Sequence, residues 1–70
     1  MDFRTFVMRA KITGVLGQNQ TARVFINGRT ARFGDTVESA LGVQFDGYDG
    51  EKKFLRFKDK TGATVTRRYP

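Results

Sequence analysis

Thirteen cationic side chains, seven carboxylates and nine aromatic rings are the groups with which this 70-residue chain could do chemistry. It has no His, no Cys and no Trp. Without imidazole or thiol, zinc fingers, haem ligation, thiol redox chemistry, disulfide staples and Ser-His triads are excluded. The carboxylates are Asp2, Asp35, Glu38, Asp46, Asp49, Glu51 and Asp59, and five of the seven fall at predicted turns. Asp46 and Asp49 flank Tyr48, but the neighbouring glycines mark both as turn formers. Acid–base catalysis needs shifted pKa values, which exposed turn carboxylates do not acquire. Gly47-Tyr48-Asp49-Gly50 is not a phosphate loop, because no Lys-Ser/Thr follows and no helix N-terminus receives an anion. The expectation is a chain that is not an enzyme and takes no cofactor, metal or small-molecule substrate.

The cations point elsewhere. The formal net charge is +6, the isoelectric point is near 10.3, and such a balance suits an anionic partner. Residues 1–35 hold a net +4 and residues 36–70 a net +2, so the excess lies mainly in the first half. Eight of the thirteen cations are Arg. Arg makes bidentate contacts to carboxylate and phosphate and stacks on rings, which suits an interface. Strand alternation places Arg9, Arg23, Arg56 and Arg68 outward with Val7, Phe25, Tyr48 and Phe54. The candidate partner-binding residues are therefore Arg9, Arg23, Phe25, Arg29, Arg32, Phe54, Arg56 and Arg68. Basic residues interleaved with outward rings are one way a small β-domain grips single-stranded nucleic acid. The plainer reading is that curved sheets bury Phe25 and Phe54, while Arg stems cover apolar surface.

These residues must be held by strands. Sixteen β-branched residues stand against three Leu and two Glu, a ratio that favours pleated surface over helix. A chain of this length is one domain, residues 1–70, able to bury only about 60% of its unfolded surface. Residues 3–13 alternate, with Phe6, Met8, Ala10 and Ile12 on one face, and read as a long half-buried strand. Residues 14–20 read as a polar loop. Residues 21–27 put Ala22, Val24 and Ile26 inward, and Asn27-Gly28 is a two-residue hairpin turn signal. Residues 29–33 return with Ala31 and Phe33 facing in. Asp35, Glu38 and Gly42 frame one helical turn or an irregular connection over residues 36–42. Residues 43–45, 53–58 and 63–69 are strands, with turns or a bulge around Tyr48. The pattern predicts an all-β roll or barrel of about six strands, SH3-like or two packed antiparallel sheets, with at most one helical turn.

One ordered set of motifs goes further. Ile12-Thr13-Gly14-Val15 precedes Val24-Phe25-Ile26-Asn27-Gly28, then Gly34-Asp35-Thr36-Val37, Val43-Gln44-Phe45, and Asp59-Lys60-Thr61-Gly62 before the final strand. Across residues 10–66 this resembles the homology-region domains of type II secretion inner-membrane components and related pilus-assembly lipoproteins. The resemblance implies a compact periplasmic β-domain behind a membrane anchor, docking a secretin-like envelope protein without chemistry. It would make residues 1–70 an excised piece of a longer chain; without it, a cytoplasmic location is expected. Asn27-Gly28 and Gly34-Asp35 match that family's turns, which are structural positions. Val24 to Arg29, Gly34 and Phe45-Asp46-Gly47 also resemble, more weakly, the first motif of Sm-like RNA-binding proteins. The expected role is a protein-interaction module, with a nucleic-acid-binding barrel as the alternative and self-association open.

Overall fold

A computed structural model describes all seventy residues, Met1–Pro70. Helix α1 (Phe3–Arg9) is followed by β1 (Ile12–Leu16), β2 (Arg23–Ile26), β3 (Arg29–Arg32), β4 (Thr36–Glu38), β5 (Val43–Asp49), β6 (Phe54–Lys58) and β7 (Thr64–Arg68). The strands form two antiparallel sheets, A in the order β1-β2-β3 and B in the order β4-β5-β6-β7. The all-β class is thus realised as two packed sheets and one short helix, with seven strands rather than about six and no closed barrel.

The first element departs from the sequence reading. Residues 3–13 do not make one strand: they make α1, a break at Ala10 and Lys11, and the start of β1. Phe3, Phe6, Val7 and Ala10 have the i, i+3, i+4, i+7 spacing of a helical face, and Phe6, Val7 and Ala10 are buried. The alternation through Met8 overlaps that pattern, but Met8 is exposed and Val7, expected outward, has no exposed surface. Asp2 tips the balance by accepting the Thr5 N–H at 2.7 Å as an N-cap.

In sheet A the register pairs Arg23 with Arg32, Val24 with Ala31, Phe25 with Thr30 and Ile26 with Arg29. Asn27 (φ 50°) and Gly28 (φ 78°) close this hairpin in the left-handed region that a two-residue turn requires. Asn27 also ties the hairpin to the end of the helix, since its Oδ1 accepts the Lys11 N–H at 2.9 Å. Phe33 follows the last rung and turns outward, 38% exposed, instead of sharing the inward face of Ala31. Residues 36–42 hold β4 and a turn rather than a helical turn. Asp35 is unavailable as a helix cap because its carboxylate accepts the Arg32 N–H at 2.8 Å.

Sheet B is built around β5, whose register shifts between Phe45 and Tyr48. The bulge expected near Tyr48 is present, inside a strand that runs on to Asp49. Gly47 takes φ 105° there, and a β-carbon at that position would lie 3.0 Å from the Asn19 carbonyl oxygen. That clearance lets the Asn19 N–H reach Tyr48 O at 2.7 Å and bind the β1–β2 loop to sheet B. Tyr48, expected outward, is half-buried, and its hydroxyl donates to Tyr69 O at 2.8 Å. Between the sheets lie Val24, Ile26, Val43, Leu55 and the tilted pair Phe45–Phe57, with ring centroids 5.7 Å apart. Rings of this size each bury roughly 150–250 Å², which is how so short a chain assembles a core.

Candidate binding surface

Five of the seven carboxylates are engaged by main-chain N–H groups. Asp2 caps α1, Asp35 accepts from Arg32, and Glu38 accepts from Leu41 at 2.7 Å. Asp49 accepts from Glu51 and Lys52, and Asp59 accepts from Thr61 and Ala63. The backbone bond from Thr5 lowers the pKa of Asp2, and the Thr61 hydroxyl lowers that of Asp59. No three or more acidic residues gather as a metal-ligand group.

The arginines are disposed differently. Arg67 Nη1 donates to Val7 O at 2.9 Å and also to Ala10 O, closing the C-terminal end of α1 onto β7. Alternation placed Arg67 on the inner face of the last strand but gave no sign that carbonyls sixty residues earlier would be its partners. Arg9, Arg23, Arg29, Arg32, Arg56 and Arg68 are all exposed.

The structure divides six of the eight candidates between two faces and leaves two apart, Arg9 in the last turn of α1 and Arg29 at the turn end of β3. On sheet A, Arg23 and Arg32 stand directly opposite each other on the outer face, next to exposed Leu16 in the same row. Ile26–Arg29 closes the two-residue turn as a hydrogen-bonded rung, so alternation makes Arg23–Arg32 a non-hydrogen-bonded rung, the closer-spaced kind. The three strands of sheet A contain three arginines and no carboxylate. Facing like charges cost stability, and nothing within the sheet neutralises them. Phe25 is half-buried on this face and lies across Gly14, where a β-carbon would come within 3.1 Å of its Cδ2. It is a cover for a glycine rather than a free-standing ring. Arg29 lies at the turn end of β3, beside a separate notch.

Sheet B carries the other group. Phe54 pairs with Arg68 and Arg56 with Thr66 on the outer face. Phe54 and Arg56 line an open cleft of about 570 Å³ with Phe33, Lys52, Asp46 and Asp49. Sequence reasoning misses Phe33 and Lys52, because alternation puts Phe33 on the inner face and Lys52 lies outside the expected strands. No family model, curated protein or solved structure matches this chain.

Proposed function

We propose that this chain is a non-catalytic protein-interaction module whose sheet A docks an acidic surface of another protein. The observation that carries the reading is the Arg23–Arg32 rung, two facing cations on a sheet without a carboxylate. A partner supplying Asp or Glu between them replaces repulsion with charge-assisted hydrogen bonds. Leu16 beside that row supplies apolar contact, and the resemblance of residues 10–66 to envelope docking domains supports the same class of partner. The test is affinity capture with the wild type and with Arg23→Glu. The substitution creates an opposite-charge rung with Arg32 and raises stability by about 0.2–1 kcal/mol, while capture of acidic partners is lost. A wild type that captures no protein yet binds oligonucleotides tightly refutes the reading.

A second reading, single-stranded nucleic acid binding, is favoured by the outer face of sheet B. There Phe33 and Phe54 line one cleft with Lys52 and Arg56, and Arg68 stands opposite Phe54. Bases stack on such rings while cations meet phosphates. Oligonucleotide affinity then falls with salt, with a logarithmic slope of about −0.7 per phosphate contacted. A flat salt dependence, or binding unaffected by Phe33→Ala and Phe54→Ala, removes this alternative.

A further inference from the structure

Strands β3 and β4 are consecutive in the chain, yet they belong to different sheets, and each is the terminal strand of its own. A four-residue turn, Arg32 to Asp35, joins them, and beyond it they splay. In that turn the Asp35 N–H donates to Arg32 O at 2.9 Å, and the Arg32 N–H donates to the Asp35 carboxylate at 2.8 Å. Beyond it lies a notch of about 700 Å³ with Arg29, Thr30 and Ala31 on one wall and Val37 and Glu38 on the other. Ile26 also lines the notch.

Backbone parity shows what the notch offers. Ile26–Arg29 closes the two-residue turn, so Arg29 and Ala31 bond back to β2 while Thr30 and Arg32 face away from it. The Asn27 N–H, one residue on from Ile26, donates to Lys11 O on the opposite side of β2, as this parity requires. Asp35 occupies both edge-facing groups of Arg32. Thr30 is the remaining edge-facing residue of β3, and it lines the notch.

The other terminal strands, β1 and β7, have different surroundings. Register shifts within β1 between Ile12 and Gly14, a bulge of the kind that blunts edges. On β7, the Arg67 side chain holds α1 alongside.

We propose that the notch between β3 and β4 receives an extended segment of a partner protein, which pairs through its main chain with Thr30 and bridges the two sheets. The proposal rests on the reading of the chain as a protein-docking module and adds a strand-addition site to its arginine face. The walls define the occupant. Side chains at alternate positions meet Ile26, Ala31 and Val37 and are apolar. Arg29, at the turn end of β3 and without a carboxylate in its strand, takes an acidic residue, and Glu38 on the far wall takes a basic one.

The experiment selects a random dodecapeptide display library on the 70-residue protein and titrates the winning synthetic peptide into ¹⁵N-labelled protein. The expected result is an alternating apolar peptide with one acidic and one basic residue, intermolecular contacts along β3, and exchange of the Thr30 amide slowed at least tenfold. Thr30→Pro weakens the peptide at least tenfold with little change in Tm, because a proline is tolerated where the N–H faces away from the ladder. Should that variant fold poorly, Arg29→Glu gives a second measurement: the acidic peptide loses at least tenfold, and its lysine-substituted version regains the loss. A peptide that binds the Arg23–Arg32 face instead overturns the notch and leaves the docking module standing. A library without binders, alongside tight oligonucleotide binding, overturns both. Concentration-dependent dimerisation that protects Thr30 without peptide also overturns the proposal, since the occupant is then a second copy.

Discussion

Replacing Arg67 by methionine tests how the helix is attached. Met keeps an unbranched apolar stem of similar reach but removes the donors to Val7 O and Ala10 O. Hydrogen bonds with a charged partner contribute about 1.5–3 kcal/mol each, and a cation at a helix C-terminus adds about 0.3–1 kcal/mol. Arg67 is half-buried, so water reaches the freed carbonyls in part, and the expected net loss is about 2–3 kcal/mol. A domain of this length has a total stability of roughly 3.5–10 kcal/mol. The substitution therefore removes a large fraction, and Tm falls by roughly 10–20 °C. The assay is urea unfolding followed by far-UV circular dichroism, with hydrogen exchange read at the Ala10 amide, which bonds Phe6 O at 2.9 Å. Arg68→Met is the control, one residue away on the opposite face, with an expected change within about 0.5 kcal/mol. The reasoning is refuted if Arg67→Met unfolds within that same margin, or if Arg68→Met costs as much.

Two further outcomes follow from the backbone and the turns. Gly47→Ala combines a positive φ with a 3.0 Å approach to Asn19 O, whereas Gly62→Ala has φ 89° and no neighbour within 4 Å. Gly62→Ala costs about 1 kcal/mol and Gly47→Ala measurably more; equal urea midpoints would show that the Asn19 contact is slack. Asp59 has a folded-state pKa below the ordinary 3.8, so its contribution is complete above about pH 4 and is lost as pH falls through the lowered value. Asp59→Asn lowers stability at neutral pH and makes the acid limb shallower, so the two unfolding curves converge in acid; parallel curves contradict the assignment.

Much of sheet A and β6 was legible because one signal operated alone. Ala22, Val24 and Ile26 alternate without a competing period, and Asn27-Gly28 readily takes the two positive φ values that a two-residue turn requires. The β6 pair Leu55 and Phe57 is inward for the same reason, and both are fully buried. The N-terminal segment failed because its apolar residues satisfy two periods at once, and the tie is broken by Asp2 and by Arg67, whose partners lie sixty positions away. Residues 36–42 depart from the expectation because Asp35 has two local uses, and the turn with Arg32 takes it from the helix. Of the candidate surface, strand parity placed Arg23, Arg56 and Arg68 correctly. It could not reveal the splay of β3 from β4, which depends on how two sheets meet.

Each sheet joins only strands that are neighbours in sequence, so every hairpin can form from short-range contacts before the other sheet exists. What spans long distances in the chain is the union of the halves: Asn19 with Tyr48, and Arg67 with the helix. Loop-closure entropy is charged to that step, since it grows with the length of chain enclosed. That distribution of contacts predicts two quick meanders followed by one slower docking event, with the α1–β7 contact closing the longest loop.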